Sequence, residues 1–372
     1  MVAMPLKLFQ RTNPPVSTTP EIDALIAADS PVAIGVSGGK DSSAVAFAVV
    51  DHLDKVGHRG PRVLIHADLG VVEWADSMLW CQKLAERLGL ELIVTRRVKG
   101  DMMDRWEQRW SDNCARYADL SCVQLILPWS TPGMRFCTSE MKTAPICREL
   151  IRRFPGRTIL SVTGIRREES SGRANTPTCK VQPKLESKTH QTAGVDWHAI
   201  PDWTLAETLA FLEACDFPLH PAYVLWLLTR VSCAFCIMSS IGDLRNAARC
   251  PANHALYRRM VDLEIVSTFA FHGDLWLGDV APELLSQTQR DGLELAKARA
   301  LKRRAAESHI PADLLYTKGW PDRVPTWDEA KLLCDVRRQV ADTIGLVIRF
   351  SEPADLIGRY EELMAMKKLR SK

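Results

Sequence analysis

Short, continuous apolar runs alternate with amphipathic stretches along the first hundred residues of this chain. Three runs have the length and composition of buried β-strands: Pro31–Ser37, Arg62–Asp68 and Glu91–Arg97. Between them, Lys40–Val56 and Trp74–Leu88 carry apolar residues at helical spacing, and each stretch is followed by a glycine. Such alternation is typical of βαβ units, so it predicts a parallel sheet with helices on both faces.

The alternation continues to about residue 215. Helices are predicted at Asp101–Trp110, Ser139–Phe154 and Leu205–Cys215, and strands at Thr158–Gly164 and Trp197–Ile200. The segments Asn113–Phe136 and Arg166–Lys188 are predicted to be irregular, and the chain is helical and charged from about Ser239 onward. We therefore predict an α/β fold with a doubly wound, mostly parallel sheet, and two domains, residues 1–252 and a helical C-terminal region at 253–372.

Composition narrows the class of protein. The 372 residues are 46% hydrophobic and 25% charged, with a net charge of +3, which excludes a collagen-like or largely disordered chain. No window reaches the roughly 18 apolar residues of a membrane span, and Met1–Thr12 is too short and polar for a signal peptide. The 11 cysteines are an odd number without a secretion signal, so we expect a reducing, cytoplasmic location without a membrane partner.

A glycine-containing string lies between the first predicted strand and the first predicted long helix. It consists of Ser37, Gly38, Gly39, Lys40, Asp41, Ser42 and Ser43. Glycines let backbone N–H groups approach an anion, the helix N-terminus adds partial positive charge, and Lys40 adds an ammonium. The spacing is not that of a Walker A motif. The string predicts a phosphate-binding loop, and the alternative is a tight strand–helix turn.

This string resembles the pyrophosphate loop of the adenine nucleotide α-hydrolases, also called N-type ATP pyrophosphatases. The resemblance implies that ATP is cleaved between its α and β phosphates, with adenylation of an acceptor oxygen and loss of pyrophosphate. It also implies Mg²⁺ on the phosphates and catalytic roles for Lys40 and Asp41.

Further segments resemble the phosphoadenosine phosphosulfate (PAPS) reductase family. They are His66–Gly70 with Glu73, Arg135–Lys142, Gly164–Ser170 with Arg173, Pro201–Thr204, and Pro218–Tyr223. The resemblance spans more than half of the chain. Lys142 lies near a predicted helix start, where the helix dipole disfavours a positive charge, so we expect an anionic partner and a catalytic role for it. Asp68 ends a predicted strand and is a candidate to position ribose or a magnesium-bound water, and a plain strand-ending aspartate is the alternative.

Three arginines follow the fourth predicted strand: Arg166, Arg167 and Arg173. The carboxyl ends of strands in open α/β sheets are where ligands bind, and guanidinium groups hold phosphate in a fork. We expect these arginines to bind the phosphates, with Arg166 catalytic, and the alternative is a solvated charged loop.

Four cysteines are candidates for one metal site. Cys233 and Cys236 form a Cys-x2-Cys pair, Cys250 follows, and Cys137 lies in the segment that carries a cluster cysteine in adenosine phosphosulfate reductases. Four thiolates hold either a [4Fe–4S] cluster or Zn²⁺, and a redox pair is a third possibility. Cluster-containing relatives have adjacent cysteines where this chain has Phe136-Cys137. The other seven cysteines are expected in the core.

Two features argue against a sulfonucleotide reductase. Reductases of this family depart from the intact phosphate string, and they attack with a cysteine in a C-terminal tail, which Met364–Lys372 lacks. The sequence instead resembles the ATP-pyrophosphatase component of bacterial DNA phosphorothioation systems. That implies a DNA or other nucleic acid acceptor, and a cysteine desulfurase and other modification-system proteins as partners. A reductase and a nucleotide-binding regulatory subunit remain the alternatives.

Basic residues cluster in the C-terminal third of the chain: Lys297, Arg299, Lys302–Arg304 and Lys367–Lys372. They are candidates for contact with DNA phosphates. A solvated helical face is the alternative.

Overall fold

The computed structural model describes residues 14–317 and 319–370. Met1–Thr12, and Ser371 and Lys372 of the basic C-terminus, lie outside the described residues. The helices are α1 (Pro20–Ala27), α2 (Lys40–Lys55), α3 (Ser77–Leu88), α4 (Met102–Ala118), α5 (Phe136–Thr138), α6 (Ala144–Arg153), α7 (Leu205–Ala214), α8 (Pro221–Val224), α9 (Ile241–Ala248), α10 (His254–Ser267), α11 (Gln287–Glu307), α12 (Trp327–Ile344) and α13 (Pro353–Arg370).

Six strands form one sheet. They are β1 (Val32–Gly35), β2 (Arg62–Asp68), β3 (Glu91–Arg96), β4 (Thr158–Thr163), β5 (Cys179–Val181) and β6 (Ala193–His198). Their spatial order is β3-β2-β1-β4-β6-β5, and every pair is parallel except β5 with β6. The order reverses direction between β1 and β4, which makes that position the topological switch point.

The chain divides into two compact units. The first contains residues 14–69, 73–98 and 137–234 and holds the whole sheet. The second contains Gly70–Val72, Lys99–Phe136 and the described residues from 235 onward, and it is helical. The predicted division into domains at residues 252 and 253 stays a prediction.

The two faces of the sheet bury different helices because successive strand residues point to opposite sides. Val32 and Ile34 pack in a cluster with apolar residues of α1, α2, α3 and α7. Ala33 and Ile65 point the other way, into a cluster with α6. Helices therefore cover both faces, and the predicted α/β fold with a doubly wound, mostly parallel sheet and a helical C-terminal region is confirmed.

Local differences from the sequence-based expectations have physical causes. The antiparallel edge strand β5 lies in the segment that was expected to be a loop. Only three of its residues pair with β6, which is too short a run to give a recognisable strand pattern in the sequence. Helix α4 runs to Ala118 rather than ending near Trp110. Its buried face includes Asn113, whose side-chain oxygen accepts a hydrogen bond from the backbone N–H of Ile126 at 2.9 Å, and this polar residue hides the helical period.

The helical unit buries several charged side chains against its own backbone. Arg337 on α12 is fully buried, and its guanidinium donates to the carbonyls of Tyr117 at 2.8 Å and Phe350 at 3.0 Å. Glu264 on α10 is also fully buried and accepts from three backbone N–H groups, those of Phe271, Leu277 and Gly278, at 2.7, 2.7 and 3.0 Å. These charges fix loops that have no regular secondary structure.

The described helices include none with the length and apolar composition needed to cross a membrane.

Candidate functional site

The candidate site begins at the switch point of the sheet. Ser37–Gly39 follows β1 directly and leads into α2, so the predicted phosphate loop lies at the carboxyl end of the sheet. Gly164 follows β4, and a Cβ there would lie 2.4 Å from the carbonyl oxygen of Asp41. Only glycine permits this close approach between the end of β4 and the start of α2. The loop and the arginine segment are therefore neighbours.

The loop has the conformation that an anion site requires. Gly38 has a φ of +75°, in the left-handed region that favours glycine. Gly39 is the N-cap of the 16-residue helix α2 and has no side chain with which to cap this end. Ser42 accepts from the backbone N–H of Ser37 at 3.3 Å and donates to the carbonyl of Gly39 at 2.9 Å. Hydrogen bonds within the loop thus fix its conformation, and the N-terminus of α2 remains suited to binding an anion.

Lys40 is held inside the structure rather than extended into solvent. Its side chain is 8% exposed, and Nζ lies 3.3 Å from both the carbonyl oxygen of Thr229 and Oδ2 of Asp41. Its backbone N–H donates to the Tyr223 hydroxyl at 3.2 Å, and Val231 donates to the same oxygen at 3.2 Å. Burial raises the pKa of Tyr223 to about 12, so the hydroxyl stays protonated.

Asp41 connects Lys40 to Arg166. Nε of Arg166 donates to Oδ1 of Asp41 at 2.6 Å, and Nη1 pairs with Glu168 at 2.7 Å. Burial opposes the charge on Arg166, but Asp41 and Glu168 outweigh it and raise the pKa of the guanidinium. Three of the four residues predicted to be catalytic therefore form one buried cation–anion–cation group.

A cavity of about 360 Å³ opens at the carboxyl edge of the sheet. The fourth residue predicted to be catalytic, Lys142, lies on its wall in a π-helical turn, Ser139–Thr143. Such turns occur frequently at functional sites. Residues at or near the ends of four strands line much of the remaining wall, with α6 and nearby loops. Its polar members include Ser37, His66, Glu73, Thr163, Asp196 and His198. The volume is in the range of small-molecule sites.

Three of the remaining predicted phosphate and ribose contacts are engaged in ion pairs. Asp68 accepts from Nε of Arg96 at 2.7 Å. Arg167 pairs with Asp202 and donates to the carbonyl of Thr176, and Arg173 pairs with Glu169. Ser43 is buried in the first turn of α2. A ligand would therefore compete with these partners for Asp68, Arg167 and Arg173.

The four predicted metal ligands are divided between the two units. Cys137 and Cys233 belong to the first unit and Cys236 and Cys250 to the second. Cys250 is buried and the other three are half-buried. Within residues 14–317 and 319–370, no three His, Cys, Asp or Glu side chains are placed to hold a metal ion. The shared metal site stays a prediction.

Four residues of the site were not predicted from the sequence. His66 and Glu73 line the cavity, and Tyr223 accepts from the loop backbone. All three lie in the segments that resemble the PAPS reductase family, which was the available signal. A fourth, His220, touches the loop beside Gly38 and accepts from the N–H of Ala222 at 3.0 Å. Burial lowers the pKa of His220 to about 4, so the ring is neutral.

Comparison with known proteins adds to this geometry. The family model of the phosphoadenosine phosphosulfate reductase domain matches residues 31–247. Comparison with curated proteins gave no significant match. Among solved structures, the chain is similar to a PAPS reductase from Candida auris in its phosphate complex, at 12% identity and a TM-score of 0.34, covering 59% of this chain and 98% of that one. It is also similar to the U34-tRNA thiolase of Methanococcus maripaludis with its [4Fe-4S] cluster, at 12% identity and a TM-score of 0.35, covering 79% and 78%.

The matched residues run from the start of β1 to the end of α9 and include the loop, the cavity and the arginine segment. They make up more than half of the chain, and the chain belongs to the phosphoadenosine phosphosulfate reductase domain family.

Proposed function

We propose that this protein is an ATP pyrophosphatase that activates an acceptor for sulfur transfer. The observation that carries the proposal is the intact Ser37–Ser43 string at the start of α2, beside the group Lys40, Asp41 and Arg166. The N-cap residue Gly39 brings no capping side chain to this helix start. Two cations at one helix N-terminus suit several phosphates in a row. An already activated sulfonucleotide has no such chain of three phosphates to neutralise.

The proposed reaction has two displacements. An acceptor oxygen attacks the α-phosphorus of ATP, the bond from that phosphorus to the bridging oxygen breaks, and pyrophosphate leaves with the electron pair. A sulfur nucleophile then attacks the activated acceptor and AMP leaves. Lys40 and Arg166 stabilise the negative charge that develops on the phosphates, and Asp41 holds both cations in place. Lys142 acts from the cavity wall.

Magnesium is expected to enter with ATP, because it keeps phosphate and water ligands and needs only one or two carboxylates. It supplies charge neutralisation on the β and γ phosphates. The loop itself supplies orientation through backbone N–H groups and the start of α2.

The proposed acceptor is a non-bridging oxygen of a DNA phosphate. The sulfur comes from a cysteine desulfurase partner as a persulfide, which a thiol reductant must convert to hydrosulfide before that sulfur attacks the activated phosphorus. Ion pairs in the helical unit reduce the number of basic residues that are available to contact DNA. Lys297, Arg303, Arg304 and Lys367 are paired with carboxylates. Among the described residues, Arg299 and Lys302 form no ion pair and line one groove, so they are the better candidates for contact with DNA phosphates.

The decisive experiment measures AMP and pyrophosphate after incubation of the full chain with ATP, Mg²⁺ and a panel of acceptors, DNA included. We expect release of both products, and a loss of at least about 100-fold in Lys40→Ala. Lys55→Ala is the matched control, because Lys55 lies at the exposed end of the same helix and its ion pair within the described part of the chain is with Asp51. Release of ADP, or no effect of Lys40→Ala, would contradict the proposal.

The family match favours a sulfonucleotide reductase as the second candidate. A reductase needs a reactive cysteine, and Cys334, in the region that follows the matched residues, is 1% exposed. Burial raises the pKa of this thiol, which leaves it protonated and unreactive. Sulfite release from PAPS in the presence of thioredoxin would establish the reductase, and tight ATP binding without turnover would establish a regulatory subunit.

The cluster is tested separately, and no step above depends on it. We propose that Cys137, Cys233, Cys236 and Cys250 hold a [4Fe–4S] cluster, with Zn²⁺ as the alternative. Protein prepared without oxygen should then contain iron and sulfide in equal amounts. Zinc without iron would establish the alternative, and neither metal would remove the site.

A further inference from the structure

A buried charged pair on the cavity wall has no role in the chemistry described above. His66, at the end of β2, is 1% exposed, and Glu73, which follows it, is 15% exposed. Nε2 of His66 lies 3.1 Å from Oε2 of Glu73, and Nδ1 lies 2.9 Å from the carbonyl oxygen of Val36. Both side chains line the cavity.

The contacts fix the protonation of His66. A carbonyl oxygen and a carboxylate oxygen can only accept hydrogen bonds, so both ring nitrogens must donate, and the ring is an imidazolium. Burial alone would lower the pKa of His66, but the hydrogen bonds to Cys81 and Glu73 and the charge of Glu73 outweigh burial and raise it to about 10. The cation anchors the carbonyl of Val36, the residue before the phosphate loop.

The same cation leaves one oxygen of Glu73 for a ligand. Oε2 is engaged by His66, whereas the described residues give Oε1 no hydrogen-bond partner. A phosphate is repelled by a carboxylate. A divalent cation gains little from a carboxylate whose charge an imidazolium already balances. The ligand group that fits is a neutral hydrogen-bond donor.

We propose that Glu73 accepts a hydrogen bond from the ribose hydroxyls of the bound nucleotide and so makes the site selective for ribonucleotides. This inference rests on the proposed use of ATP. The sugar is joined directly to the phosphates, which the proposal places at the end of β1, and β2 is the adjacent strand, about 4.8 Å away. Glu73 is therefore one strand from the phosphate loop, on the wall of the same cavity.

The test compares binding of ATP, 2′,3′-dideoxy-ATP and ITP by calorimetry, with EDTA in place of Mg²⁺ so that no turnover occurs. A hydrogen bond to a charged group predicts that the wild-type protein binds ATP at least about tenfold more tightly than the dideoxy analogue. Glu73→Gln should weaken ATP binding and remove that preference, because the amide is a poorer acceptor. Glu149→Gln is the control, since this carboxylate pairs with Arg152 away from the cavity.

Each outcome either supports or overturns the proposed role of Glu73. Equal binding of ATP and the dideoxy analogue by the wild-type protein overturns the inference without any variant. A Glu73→Gln protein that keeps the preference for ATP also overturns it, and loss of the preference for ATP over ITP alone would assign Glu73 to the base. Failure of the wild-type protein to bind any of the three nucleotides, with Mg²⁺ as well as with EDTA, would overturn the proposed function itself. A thermal melt of each variant separates these effects from unfolding.

Discussion

Buried charges occur in both units of this protein, but they are satisfied in different ways. In the sheet-containing unit, Lys40, Asp41 and Arg166 pair mainly with one another at the start of a helix. In the helical unit, Arg337 and Glu264 are buried more deeply and are held by backbone carbonyls and N–H groups respectively.

The difference separates a structural role from a functional one. A charge whose hydrogen bonds all go to the backbone fixes a loop and has little capacity left for a ligand. Charges that balance one another at a helix N-terminus can exchange partners when an anion arrives. We therefore expect substitutions in the first group to reduce activity and those in the second to reduce stability.

Removal of the Arg166 guanidinium should have the largest effect. Arg166→Gln should lower the rate of AMP release about 100-fold or more, because one of the two cations at the phosphates is lost. Single-turnover assays on protein with a verified melting curve measure this. Arg152→Gln, a surface variant on α6, should keep the wild-type rate. A normal rate in Arg166→Gln would place the chemistry elsewhere.

Arg337 should show the opposite behaviour. Arg337→Met removes the guanidinium donor to the carbonyl of Phe350 and one of the two donors to the carbonyl of Tyr117, which should cost about 3 kcal/mol of unfolding free energy. Denaturant titration measures the cost, and AMP release per folded molecule should stay unchanged. The neighbouring Arg338 is half-exposed and pairs with Asp335, so Arg338→Met should change stability by less than about 0.5 kcal/mol. Equal losses in the two variants would contradict this account.

Glu264 should make the stability of the helical unit depend on pH. Burial raises the pKa of Glu264 to about 7, and the negative charge of nearby Asp279 adds to the increase. The hydrogen bonds from the three backbone N–H groups lower the pKa but do not outweigh burial. Between about pH 4.3 and pH 7, the Glu264 carboxyl is therefore protonated in the folded state but ionised in the unfolded state. The favourable contribution of Glu264 protonation to the free energy of unfolding is complete below about pH 4.3 and is lost as the pH rises through 7.

The expected loss is about 2 kcal/mol between pH 5 and pH 7. Urea titrations of the wild-type protein and Glu264→Gln at several pH values measure it. The variant starts less stable, because an amide cannot accept all three N–H groups, but its curve should lack this slope. Parallel curves for the two proteins would show that Glu264 does not titrate in this range.

The sequence was sufficient to predict the parallel strands of the sheet and the positions of the Ser37–Gly39 turn and of Arg166, because each depends on local periodicity or on the end of a strand. The phosphate-binding role of that turn stays a prediction. It was not sufficient for Tyr223, which lies 183 residues from its partner Lys40, since only the fold brings them together. The sequence also does not show which carboxylate pairs with a given basic residue. Lys297 and Arg299 are both basic residues of one helix, but within residues 14–317 and 319–370 carboxylates pair with Lys297 and not with Arg299.

The internal contacts of Lys40 have a thermodynamic consequence. Its ammonium already has an acceptor in the carbonyl of Thr229, and its backbone N–H has one in the Tyr223 hydroxyl. Phosphate binding is then an exchange of partners rather than the filling of a vacancy. The measured affinity will be the difference between two sets of hydrogen bonds, so a weak dissociation constant for ATP is compatible with strong individual contacts. Variants such as Tyr223→Phe can change that affinity in either direction without touching the ligand.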